Sequence, residues 1–185
     1  GVLSGGGSSQ VIPVGEPGLE LEVGGVAGSF AKATYHPAPP LRAMQAEAPQ
    51  TEVVYDDGAD PAAAAALARD CDAAVIFATQ WATEAEDLPG LDLPDDQDAL
   101  IAAVAAANSR TVVVLETGTP VVMPWLDQVA GVLEAWYSGT RGGEAIARVL
   151  FGEVNPSGRL PISFPGGVDE LVRPEIPGQI FGPPV

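Results

Sequence analysis

From residue 51 onward the chain alternates between two hydrophobic rhythms. Residues 73–79 and 111–115 are apolar runs of strand length, and 131–136 carries a third. Runs that are apolar on successive positions read as strands buried on both faces. Between them the period lengthens: Leu100, Ile101 and Val104 fall at helical spacing within 95–107, which ends near Asn108. Asp60 and Pro61 offer an N-cap followed by proline in the first turn, opening an alanine-rich helix to Arg69. A short helix is predicted at 123–129, and a longer one at 143–151 is closed by Gly152. Residues 52–55 and 160–164 are predicted as further short strands, the second following a turn at Asn155-Pro156-Ser157-Gly158. The first 50 residues, with a glycine-rich start and with Pro37, Pro39 and Pro40, read as irregular. No internal repeat is present. The pattern predicts an α/β fold, a mostly parallel sheet with helices on both faces. It occupies residues 1–165, and the proline-rich tail 166–185 reads as a linker.

Composition narrows the classes. At 185 residues and 46% hydrophobic, the chain suits one domain with a substantial core. Its net charge is −17, from 25 acidic against 8 basic residues, which repels phosphate backbones and anionic lipids. No apolar run approaches the roughly 20 residues of a membrane helix. Nucleic acid and membrane partners are therefore not expected, while neutral partners such as sugars remain open. Cys71 is the only cysteine, so an intrachain disulfide and a cysteine-built zinc cage are both excluded. Placed just before an apolar run, Cys71 reads as a buried small residue. His36, alone in a proline-rich stretch, reads as a surface residue and leaves no Ser/His/Asp triad. No clustered metal ligands and no cofactor motif stand out. The chain opens at Gly1 without a charged-then-apolar leader and reads as a fragment of a larger protein.

In parallel sheets, ligands gather beyond the carboxyl ends of the strands. Three segments leave those ends: 80–94, 117–120 and 137–142. The first is far longer than the usual strand-to-helix loop of roughly 2–6 residues. It holds Trp81, Glu84, Glu86, Asp87 and Asp92. Carboxyl groups crowded in a loop raise one another's pKa toward the range of a general acid, and a neighbouring tryptophan offers a stacking face for a sugar ring. The plainer alternative is an acidic, solvated loop. The run Gly5-Gly6-Gly7-Ser8-Ser9 could cradle a phosphate on its backbone amides, but it lacks a Walker lysine and dinucleotide spacing. A tight or flexible loop is the alternative there.

Several ordered motifs carry a resemblance. They are Leu91-Asp92-Leu93-Pro94 with Gln97, Leu100 and Ile101; Thr111-Val112-Val113-Val114-Leu115-Glu116-Thr117-Gly118-Thr119-Pro120-Val121; and Met123-Pro124-Trp125. Leu133-Glu134-Ala135-Trp136-Tyr137-Ser138-Gly139 and Gly142-Gly143-Glu144-Ala145-Ile146-Ala147 follow. The series closes with Val149-Leu150-Phe151-Gly152-Glu153-Val154-Asn155-Pro156-Ser157-Gly158-Arg159-Leu160-Pro161 and Phe164-Pro165. In this order they resemble family 3 glycoside hydrolases, over nearly all of residues 1–165. The resemblance implies an α/β sandwich that packs, in the whole enzyme, with an N-terminal (β/α)₈ barrel. It also implies retaining hydrolysis of terminal, non-reducing β-linked sugars, glucose foremost, from an oligosaccharide or glucoside.

Further residue roles follow from the resemblance alone. Glu84 in Glu84-Ala85-Glu86-Asp87 matches the family's acid/base glutamate, with Glu86 as the competing choice. Leu88 stands where many members have arginine. Trp81, Glu86 and Asp87 would border the substrate, and Gly7 and Ser8 would line the crevice. The family's nucleophile is a barrel aspartate in Ser-Asp-Trp, a triplet missing from this sequence, so the chain by itself is expected to be inactive. Export to the periplasm or the medium is the expected localisation. A non-catalytic sugar- or nucleotide-binding module on the same sheet is the rival reading.

Overall fold

The computed structural model describes residues 38–82 and 88–172, together with the backbone of two strands at 19–24 and 30–35. The chain divides into two compact units. Of the described residues, one gathers the strands at 19–24 and 30–35 with residues 38–55 and 138–157, and the other gathers 56–82, 88–137 and 158–172.

The first unit begins with strands β1, Leu19–Gly24, and β2, Phe30–Tyr35, paired antiparallel. The register sets Leu21 opposite Ala33 and Glu22 opposite Lys32. Helix α1, Pro40–Glu47, follows. Pro40 opens it because a first-turn residue has no intrahelical partner for its N–H, so proline loses nothing there. Helix α1 packs against the last helix, whose first turn is Gly142-Gly143. A Cβ on Gly143 would lie 2.3 Å from the carbonyl oxygen of Ala38, so only glycine permits this approach.

The second unit is a three-stranded parallel sheet with two helices on one face. Helix α2, Pro61–Arg69, is capped by Asp60, whose carboxylate accepts the Ala62 N–H at 2.9 Å. Strand β3, Ala74–Thr79, leads into helix α3, Gln97–Ala107, and then strands β4, Thr111–Glu116, and β5, Gly131–Glu134. The sheet order is β3-β4-β5, all parallel, with Ile76 beside Val113 and Ala78 beside Leu115. That face meets Ile101, Leu93, Val121 and Trp125 in one buried cluster. Ala64 and Ala68 of α2 meet Val104 and Leu100 of α3 in a second, where small side chains let the helices come close. Asn108 ties the layers together. Its Nδ2 donates to the Ala68 and Cys71 carbonyls at 2.8 and 2.9 Å, and its Oδ1 accepts the Arg110 N–H at 2.9 Å. Cys71 is partly buried and its thiol donates to the Leu67 carbonyl, a structural role in keeping with the sequence.

Helix α4, Gly142–Leu150, belongs to the first unit and ends at Gly152, whose φ of +77° suits glycine at a helix C-terminus. Among the described residues these make four α-helices.

Three sequence expectations are corrected. Residues 52–55 and 160–164 form no strand; their apolar side chains Val54, Tyr55, Leu160 and Ile162 are exposed, and no neighbouring strand pairs with them. The first 50 residues are not irregular throughout, since β1, β2 and α1 lie within them. The helix at 123–129 shrinks to a single 3-10 turn, Leu126–Gln128.

Candidate functional site

The parallel register brings the carboxyl ends of β3, β4 and β5 to one edge, and the residues just past them interlock. Gln80 follows β3 and is almost fully buried, at 2% exposure. Its N–H bonds the Glu116 carbonyl at 3.2 Å, which carries the β3–β4 ladder one residue further. Its side-chain oxygen accepts the Thr119 hydroxyl at 3.0 Å, and its carbonyl accepts the Tyr137 phenol at 2.6 Å. Segments 80, 117–119 and 137, from three strand ends, thus meet at one residue. Gly118 makes room for this, because a Cβ there would lie 2.9 Å from the Tyr137 ring and hydroxyl.

Two carboxylates end the strands. Burial raises the pKa of Glu116, the last residue of β4, above its ordinary value. Burial also raises Glu134, the last residue of β5, against the opposing pull of hydrogen bonds from Trp136 and Thr117. Glu134 Oε1 accepts the Trp136 N–H at 2.8 Å, and Oε2 lies 3.4 Å from the Thr117 hydroxyl. Trp136 holds φ of 52°, a left-handed conformation uncommon for a bulky residue. The Glu134 bond and a tilted ring contact with Phe164, centroids 6.1 Å apart, hold it there. Burial likewise raises the Tyr137 phenol, opposed by the amides of Ala82 and Gly118 and aided by the charge of Glu134.

Trp81 is the second residue of the long loop and is 39% exposed at this edge. The far end of the loop is fastened separately. The Leu91 carbonyl accepts the Val122 N–H at 2.8 Å, and Leu93 is buried in the core. Gln97, at the start of α3, bonds both backbone groups of Thr79 at 2.8 Å and also the Pro94 carbonyl. Its amide thereby joins the end of β3 to the end of the loop. Trp125, 1% exposed, donates its indole N–H to Asp98 and braces the same region. These contacts give the Leu-Asp-Leu-Pro, Gln and Met-Pro-Trp motifs a common physical task, fixing the far end of the loop.

Glu84, Glu86, Asp87, Gly7 and Ser8 lie outside the described residues, so of the candidate site residues the structure places Trp81. It adds Gln80, Glu116, Thr119, Glu134 and Tyr137, which the sequence reading gave no site role. Their signal was their position immediately around strand ends. Among the described residues no group of histidine, cysteine, aspartate or glutamate is arranged to hold a metal, and no helix is long and apolar enough to cross a membrane.

Comparison with known proteins assigns the chain. The family model "Glycosyl hydrolase family 3 C-terminal domain" matches residues 2–180. β-Glucosidase B of Emericella nidulans is 50% identical over 109 residues, covering 56% of this chain and 13% of that enzyme. DesR, a β-glucosidase from Streptomyces venezuelae solved in complex with D-glucose, superposes with a TM-score of 0.57 at 51% identity, covering 58% of this chain and 14% of that one. The β-D-glucoside glucohydrolase of Trichoderma reesei gives a TM-score of 0.73 at 26% identity, covering 86% of this chain and 24% of that one. The chain thus spans a small part of the β-glucosidases it matches. With its parallel sheet, its interlocked strand ends and a family match along almost its whole length, the chain belongs to glycosyl hydrolase family 3, as the C-terminal domain.

Proposed function

We propose that this chain is one part of a retaining β-glucosidase and supplies its acid/base through Glu84. Residues 1–165 form the sandwich domain, 166–185 form a linking tail, and the nucleophilic aspartate comes from a barrel elsewhere in the same protein. A retaining mechanism uses two carboxyl groups about 5–5.5 Å apart. The nucleophile attacks the anomeric carbon as Glu84 protonates the departing oxygen; Glu84 then takes a proton from the water that releases the sugar. Trp81 borders the leaving-group side, with Glu86 and Asp87 near the substrate and Gly7 and Ser8 at the crevice. The enzyme works outside the cytoplasm, in the periplasm or the medium.

One observation carries this reading. The loop that contains Glu84 departs from and returns to the carboxyl edge of a parallel sheet with both ends fastened, at Gln80 and at Leu91, in a chain whose relatives are β-glucosidases. The test is Glu84→Gln in the full-length parent. For phenyl β-glucoside, whose leaving group needs protonation, kcat/KM should fall about 10²–10⁴-fold. For dinitrophenyl β-glucoside, which departs unaided, it should change little. Unchanged activity on both substrates, or the same selective loss in Glu86→Gln instead, would remove Glu84 from the role.

A further inference from the structure

We propose that Tyr137 is a positioning residue for proton transfer, holding the root of the acid/base loop through its phenol. The proposal deepens the reading above and rests on it. The Tyr137 phenol donates to the Gln80 carbonyl at 2.6 Å. The hydroxyl thereby holds the backbone immediately before Trp81, at the start of the segment that leads to Glu84. The other groups around it restrict its choices. Gln80 is clamped by Thr119 and by the β4 carbonyl of Glu116. Gly118 lets the ring lie close over the 117–119 turn. Glu134 holds Trp136, and so the backbone entering Tyr137.

Tyr137 is 47% exposed, so its ring is not a core plug. Its exposure leaves the hydroxyl's bond to Gln80 as the main thing a Phe side chain would lose. The phenol touches no reacting atom in this scheme; it acts by fixing where the loop begins. A displacement on the order of 1 Å at a proton donor costs up to about a hundredfold in rate, which makes such an anchor consequential.

The experiment uses the full-length parent and the variants Tyr137→Phe, Gly118→Ala and Glu84→Gln. Each is assayed by kcat/KM on phenyl and dinitrophenyl β-glucosides across pH. Tyr137→Phe should lose about tenfold to a hundredfold on the phenyl glucoside and stay within about twofold on the dinitrophenyl glucoside, with the basic limb of the pH profile displaced. Gly118→Ala, which pushes the ring away, should repeat that selective loss. Equal losses on both substrates would mark Tyr137 as merely structural and overturn the proposal, as would no loss on either. If Glu84→Gln loses phenyl-glucoside activity and Tyr137→Phe does not, the positioning role alone is wrong. If Tyr137→Phe shows the selective loss and Glu84→Gln does not, Tyr137 positions a different acid and the assignment of Glu84 is wrong.

Discussion

Glu116 ends β4 with its carboxyl largely removed from water, and that burial makes it sensitive to pH. Its ordinary value is 4.5, and in the folded protein it lies higher. Below 4.5 the folded and unfolded carboxyls are both protonated and the group is neutral to stability. As pH rises past that value the unfolded carboxyl ionises first, so stability is lost until pH passes the raised folded pKa. Glu116→Gln should therefore melt at a higher temperature than the parent at pH 7, with the gain shrinking toward pH 4. A gain of equal size at both pH values would show that charge is not the cause. The sequence marked 111–115 as a buried strand and so reached the edge of this residue, but a carboxylate's burial depends on what surrounds the strand end, which no local pattern records. The same holds for Gln80 and Tyr137. Their types are ordinary, and only the convergence of three strand ends gives them their partners.

At the scale of elements, most strands and helices after residue 55 were legible because their rhythms are strong and their boundaries carry chemical markers. Asp60 with Pro61 marked the start of α2, Asn108 the end of α3, and Gly152 the end of α4. Strands β1 and β2 were missed: the alternation Leu19-Glu20-Leu21-Glu22-Val23 is a strand signal, but flanking glycines and prolines made the first 50 residues read as irregular. Pro40 read as a breaker where it opens a helix. Residues 52–55 and 160–164 show the converse error, since β-branched residues make a strand only where another strand can pair with them. The Gly142-Gly143 pair belongs to this scale. Gly143→Ala should cost about 1–3 kcal/mol, because its Cβ meets backbone that cannot swing aside. Gly131→Ala is the control: nothing lies within 4 Å of its Cβ position, and denaturant melts should show little change. Gln97→Ala should cost about 1–3 kcal/mol by leaving the backbone of Thr79 and the Pro94 carbonyl without their partner. A melt unchanged by Gln97→Ala would refute its fastening role.

At the scale of the whole molecule, the family was legible from the order of its motifs, and the structure gives several of those motifs a shared reason. Leu91, Leu93, Gln97 and Trp125 fasten one end of the loop, while Gln80, Thr119 and Tyr137 fasten the other. What lies between, including Glu84, could be assigned in sequence only through the resemblance, since an acidic loop in a chain of net charge −17 is not distinctive by itself. The chain spans 13% of β-glucosidase B, and the proposed sugar site draws on groups beyond these 185 residues. The most direct measurement is hydrolysis of nitrophenyl β-glucoside by the full-length parent and by this 185-residue chain alone. Activity in the parent with none in the isolated chain is the expected result, because the proposed mechanism takes its nucleophile from the barrel. Comparable turnover by the isolated chain would mean that a complete site exists within it, and the division of two carboxyl groups between two domains would be wrong.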